Sequence, residues 1–213
     1  MRRLESAALR VVERFLSDPS DCYVSMSWGK DSVTVAHLVR QVEPTVPLVH
    51  GAWRTPGPLR VDSCGVAYSE RSGPDSDAVR DAFLALWPMP YDEVECSGAD
   101  PWHAPIEAEH GRRRIMGLRA AESGLRAMSA RMSGATTRYT CRPIIDWSTD
   151  DVFAYLARHD LPVHPAYAMS MGGRRAREHL RVDVLGGPEG VNFGRRAWEV
   201  HYYRDHMHGL EAH

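Results

Sequence analysis

Apolar side chains recur at Leu4, Ala8, Val11, Val12, Phe15 and Leu16, the spacing of one helix face, and the run stops at Ser17-Asp18-Pro19. The apolar stretch opening at Tyr23 reads as a short buried strand, and helical spacing resumes from Val33 to about Gln41. Pro44 to Gly51 reads as a second buried strand, which completes one β-α-β unit and predicts a parallel, doubly wound sheet. Trp53 to Asp75 is rich in Pro, Gly and Ser and is expected to be a long loop with at most a short extended piece. Asp77–Trp87 reads as a helix, Tyr91–Cys96 as a strand, and Arg114–Gly117 as a strand followed by a helix with Glu122 and Ser123 in its first turn. Ser148 is a helix N-cap, with Asp150 and Asp151 at the positive dipole end and Val152, Tyr155 and Leu156 on one face. The expected organisation is an α/β core over residues 1–145, with a small C-terminal helical extension and flap over 146–213 packed on it. In that extension, glycines surround Arg174, Arg175 and Arg177, and a last helix runs through Trp198, Tyr202 and Tyr203.

A chain of 213 residues, 43% hydrophobic and 25% charged, suits one soluble α/β domain. Its net charge of −2 argues against generic nucleic-acid binding but hides an uneven distribution. Residues 75–110 hold nine acids against Arg80 alone, and residues 112–142 hold eight arginines against Glu122 alone. Such an arginine-rich stretch suits a polyanionic nucleotide or a nucleic-acid backbone. Cys22, Cys64, Cys96 and Cys141 form no Cys-x-x-Cys pair, which argues against a zinc ribbon or a redox motif. His201, His206 and His208 have no Cys or carboxylate partner in their pattern and are read as incidental. Neither a signal peptide nor a membrane-spanning run is read, so a cytoplasmic location without membrane partners is expected.

Candidate chemistry enters between the first strand and its helix, at Ser25-Met26-Ser27-Trp28-Gly29-Lys30-Asp31-Ser32. A strand, a small-residue turn and a helix N-terminus make an anion site from converging N–H groups, the positive dipole end and the Ser27 and Ser32 hydroxyls. The Walker spacing is missing. Of 26 basic residues Lys30 is the single lysine. Where an arginine-biased chain keeps one compact ammonium, a point contact to a phosphate is the expected use.

This stretch resembles the pyrophosphate loop of the PP-loop ATP pyrophosphatases and the sulfonucleotide (PAPS) reductases, commonly Ser-x-Gly-Gly-Lys-Asp-Ser. Trp28 stands where the first glycine is usual, and a turn needing positive φ there would strain a tryptophan. Gly117-Leu118-Arg119-Ala120-Ala121-Glu122-Ser123 with Arg126 is similar to the family's second block, and Arg142-Pro143-Ile144 with Trp147, then Leu161-Pro162 and Tyr167, to its third. The resemblance implies the adenine nucleotide α-hydrolase-like, Rossmann-like fold. It also implies an adenine nucleotide, ATP or PAPS, held by Ser25, Ser27, Trp28, Gly29, Lys30, Asp31, Ser32, Gly117, Arg119, Glu122 and Ser123. Lys30, Arg119 and Arg142 would neutralise charge, and Asp31 is the candidate Mg²⁺ contact. For Arg126, an ion pair with Glu122 one helical turn away is the alternative to a ligand contact. For Trp147 and Tyr167, packing is preferred.

Three functions follow. The first is ATP pyrophosphatase chemistry, in which a second substrate is adenylated at the α-phosphate and pyrophosphate leaves. The second is a PAPS reductase-like reaction, which needs a thiolate that the family carries in Glu-Cys-Gly-Leu-His. Here the tail reads His208-Gly209-Leu210-Glu211-Ala212-His213, so the reductase reading is ranked lower. The third is a nucleic-acid-modifying or merely nucleotide-binding protein, with the arginines holding RNA or DNA. The second substrate, small molecule or nucleic acid, is open, and the resemblance allows a homodimer.

Overall fold

The computed structural model describes residues 1–52, 60–61, 67–68, 74–96, 104–164 and 167. Its centre is β1 (Tyr23–Met26), which pairs in parallel with β2 (Leu48–Ala52) on one side and β6 (Arg114–Met116) on the other. Beyond β2 lies β5 (Tyr91–Glu95) and beyond β6 lies β7 (Thr140–Cys141), so the sheet runs β5-β2-β1-β6-β7 with every strand parallel. A separate antiparallel pair, β3 (Arg60–Val61) with β4 (Ala67–Tyr68), lies within the expected loop.

Strand alternation divides the core into two layers. Val24, Met26, Leu48 and Ile115 face one buried cluster, shared with α1 (Arg2–Leu16), α2 (Lys30–Val42), α3 (Pro74–Leu86) and α6 (Thr149–Arg158). Tyr23, Val49 and Val94 face the other, closed by Ile106 of α4 (Ala104–His110), a helix the periodicity does not announce. The α/β, doubly wound parallel architecture is thus as expected from the sequence.

Several boundaries move for local reasons. The second strand begins at Leu48, after the prolines, although the Pro47 carbonyl still accepts the Val24 N–H at 2.9 Å. α3 begins earlier than expected, at Pro74, because a first-turn proline gives up only an N–H that is unpaired anyway. Glu122 and Ser123 do not share a first helical turn. Glu122 ends a 3₁₀ turn (Ala120–Glu122), and extended Ser123 caps α5 (Gly124–Ser133) by accepting the Arg126 N–H at 3.2 Å. Ser148 caps α6 as read, with Asp151 closing the reciprocal capping pair. The expected flap at 172–190 and the last helix lie outside the described residues.

Two buried imidazoles set a pH limit on stability. The His37 Nδ1 lies 2.8 Å from the Tyr155 hydroxyl, and its ring centroid is 4.8 Å from that of His159, between α2 and α6. Burial, with the His159 and Arg40 charges adding, lowers His37 from 6.5 to about 4. Burial alone does the same to His164. Between 6.5 and about 4 the unfolded chain takes up protons that the folded chain refuses. Stability is therefore full above pH 6.5 and falls with pH through that window. By pH 5 the expected loss is about 1–2 kcal/mol per ring in urea unfolding. A midpoint that does not change between pH 7.5 and 5 would show that the rings are not held neutral.

Candidate functional site

From β1 the chain steps outward to β2 and β5, then returns to β6 on the other side of β1. The carboxyl ends of β1 and β6 therefore flank the point where strand order reverses, which is where open α/β sheets receive ligands. The turn 27–29 leaves the sheet there, and so does the segment from Gly117 to Arg119.

The turn is cinched by Ser32, whose Oγ donates to the Gly29 carbonyl at 3.0 Å and accepts the Ser27 N–H at 3.3 Å. The Ser27 hydroxyl lies 3.4 Å from the same oxygen. Trp28 does adopt left-handed backbone, with φ 57°. That conformation costs a non-glycine residue roughly 1–2 kcal/mol. The indole is only 1% exposed, with its ring centre 6.1 Å from that of Phe83 and 5.7 Å from that of Tyr91. Since truncating a buried Trp costs roughly 3–5 kcal/mol, packing outweighs the strain. The indole is drawn into the core beside α3 and the start of β5. Ser25, by contrast, lies within β1, paired with Val49 and Met116 rather than in the turn.

Behind the turn lies a buried charge cluster. The Lys30 ammonium, 4% exposed, donates to Asp31 Oδ2 at 2.5 Å. The other Asp31 oxygen accepts from Arg119 Nε at 2.7 Å. Arg119, 1% exposed, also donates to Thr149 Oγ1 at 3.1 Å and reaches the Trp147 carbonyl at 3.5 Å, so α6 braces it. Gly117 allows this approach. A Cβ there would lie 2.6 Å from the Asp31 carbonyl carbon and 2.9 Å from the Ser32 nitrogen.

Other expected contacts take local partners. Glu122 accepts the Arg119 N–H at 3.0 Å and ion-pairs with Arg126. Arg142 donates to Ser129 Oγ at 3.0 Å and to the Gly134 carbonyl, bracing the end of α5 rather than bonding to the turn. Arg113 is spent on the end of α1, donating to the Phe15 carbonyl at 2.7 Å. With Arg113, Arg119 and Arg142 all buried, the arginines of 112–142 do not form one exposed belt.

Magnesium fits Asp31 poorly, because both carboxylate oxygens already face cations and a divalent ion would have to displace them. Cys141 is fully buried, and burial pushes its thiol up to about 12, so it is a poor nucleophile. A hollow of 510 Å³ opens at the amino ends of β1 and β2, but Asp18 and Glu43 on its wall are engaged by Ser20 and Thr45.

Two residues gain roles that sequence patterns do not give them. The Tyr167 hydroxyl accepts the Lys30 backbone N–H at 3.4 Å, and the Lys30 ammonium lies 5.2 Å from the ring centre. Tyr167 therefore covers the N-terminus of α2 as well as packing against Phe153. His50, 2% exposed, sets Nδ1 2.9 Å from the Met26 carbonyl just before the turn. Its only sequence signal is a polar residue in an otherwise apolar strand.

Comparison with known proteins bears on the fold and on the sequence resemblance. Residues 99–175 match the phosphoadenosine phosphosulfate reductase domain, a stretch that holds Gly117, Arg119 and Arg142 but not the turn. A phosphoadenosine 5'-phosphosulfate reductase of Xanthomonas axonopodis pv. citri is 29% identical over 173 residues, 74% of this chain and 70% of that protein. That of Xylella fastidiosa is 26% identical over 197 residues, 84% of this chain and 82% of that protein. The crystal structure of phosphoadenylyl-sulfate (PAPS) reductase from Candida auris, a phosphate complex, superposes with a TM-score of 0.51 at 10% identity. It covers 78% of this chain and 85% of that one, and the likeness shows a shared fold. By these matches the chain is similar in sequence to phosphoadenosine phosphosulfate reductases over about three quarters of its length, and it shares the fold of one of them.

Proposed function

We propose that this chain is a sulfonucleotide enzyme that binds PAPS or a close analogue, with the terminal anionic group on the Ser27–Ser32 turn. The observation that carries the reading is the cluster of Lys30, Asp31 and Arg119 at the switch point. Two cations and one carboxylate leave a single positive charge, supplemented by the dipole of α2. That balance suits a terminal sulfonate, which carries one negative charge, better than the terminal phosphate of ATP with its metal. The relatives' names point the same way. On binding, the Lys30 ammonium would turn from Asp31 to the ligand while Arg119 keeps the carboxylate in place.

The reaction this site would serve is attack of a thiolate on the sulfonate sulfur. The S–O bond to the nucleotide breaks, and adenosine 3′,5′-bisphosphate leaves with that electron pair. A second thiol then releases sulfite and leaves a disulfide. Among the described cysteines, Cys96 and Cys141 are buried and Cys22 lies at the amino end of β1, away from the turn, so a dithiol reductant is named as the donor. The ATP pyrophosphatase reading is set below this one because the relatives similar to this chain in sequence are named as PAPS reductases.

Calorimetry with adenosine 3′,5′-bisphosphate, PAPS and Mg²⁺-ATP tests the proposal. The first two should bind with affinities indifferent to Mg²⁺, and PAPS with a dithiol should yield sulfite. Pyrophosphate release from Mg²⁺-ATP, with no affinity for the bisphosphate, would overturn it.

A further inference from the structure

We infer that Trp28 is a positioning residue that holds the anion turn in its binding shape before ligand arrives. This rests on the functional reading above for its ligand, though not for its geometry. The family's usual residue at this place is glycine, which would leave the turn free to sample many conformations when empty. In this chain the left-handed position is taken by the largest side chain available, at φ 57° and 1% exposed. The indole meets Phe83 of α3 and Tyr91 at the start of β5 at tilted ring geometries of 55° and 59°. The turn is thereby fastened to two elements that touch nothing of the charge cluster in the described hydrogen bonds.

The neighbours of Trp28 are the groups that need holding. Ser27 on one side is hydrogen-bonded through its N–H to Ser32, and the Gly29 carbonyl on the other accepts from Ser32 Oγ. The indole below and the Ser32 hydroxyl above fix the same three residues, so φ and ψ of the turn have little freedom left. A ligand that meets preformed donors does not have to order them, and affinity gains by that difference. The left-handed strain at position 28 is thus held by packing at the site where it serves binding.

The test compares Trp28→Gly, Trp28→Phe and Phe83→Leu with the parent chain, each well below its melting temperature. Amide hydrogen exchange of residues 27–32 is read without ligand, and affinity for adenosine 3′,5′-bisphosphate by calorimetry. Trp28→Gly should speed exchange in the turn but not in β1 or β2, and weaken binding by about tenfold. Trp28→Phe should restore most of both. Phe83→Leu, which leaves the turn's own atoms untouched, should shift both in the same direction, with no further loss when combined with Trp28→Gly. Unchanged exchange at 27–32 in both Trp28→Gly and Phe83→Leu would overturn the inference, whether or not nucleotide binds. Should Trp28→Gly fail to fold, Phe83→Leu decides alone by the same exchange readout. Failure of the parent chain to bind the bisphosphate would instead overturn the functional reading and leave the exchange result to judge the turn.

Discussion

Replacing Lys30 with alanine is expected to weaken PAPS binding about 100-fold or more while the melting temperature moves little. The ammonium is 4% exposed at the end of β1, so its attraction for an anion is weakly screened. A charge-assisted hydrogen bond contributes roughly 1.5–3 kcal/mol, and loss of the net positive charge of the cluster adds to that. The fold should survive, because Asp31 keeps its 2.7 Å bond to Arg119 and is not left as a lone buried charge. Lys30→Arg should recover only part of the affinity, since a planar fork does not fit the space of a compact ammonium under the Tyr167 ring. Calorimetry alongside thermal melting separates the cases. Unchanged affinity in Lys30→Ala would remove the ligand from the turn, and a collapse of melting with affinity would make Lys30 a structural residue.

Gly117→Ala is expected to be strongly destabilising, with the closest Cβ approach of the glycines whose surroundings the structure describes. The new Cβ would stand 2.6 Å from the Asp31 carbonyl carbon and 2.8 Å from its oxygen, and both are backbone atoms that no side-chain rotation can remove. Either β6 must shift in the sheet or the first turn of α2 must move. Overpacking of this kind costs about 3 kcal/mol, which for a chain of this size lowers the melting temperature by about 6–12 °C. Affinity should fall as well, because the displaced atoms belong to Asp31, which holds the Lys30 ammonium, and to Ser32, which ties the turn. Gly124→Ala is the matched control, since a Cβ there meets nothing within 4 Å. A Gly117→Ala protein that melts like the parent would show that the close approach of β6 to α2 does not exist in solution.

Much of this protein is legible from local pattern. The helical spacing of Ala8, Val12 and Phe15, the apolar run from Tyr23, the Ser148 cap and the β-α-β order are all satisfied within short windows, where one element's periodicity settles what it buries. The lone lysine in an arginine-biased chain singles out the turn after β1 as the candidate anion site for the same reason, as a choice of residue type independent of its neighbours. Boundaries were harder where two local signals competed, as at Ser123, where capping a later helix prevailed over joining an earlier one.

What the tertiary structure alone decided is which charges meet. Asp31 and Arg119 are 88 positions apart, and Lys30 and Tyr167 are 137 apart, so no spacing rule relates them. Arg113, within the arginine-rich stretch, is spent on the Phe15 carbonyl 98 positions away, and Arg142, expected to neutralise ligand charge, is spent on the nearby Gly134 carbonyl. Residue type states what a side chain is able to bond, while the partner it finds depends on where parallel strands bring their carboxyl ends. That placement is set by burial of the whole sheet, a sum over distant contacts that no short window contains.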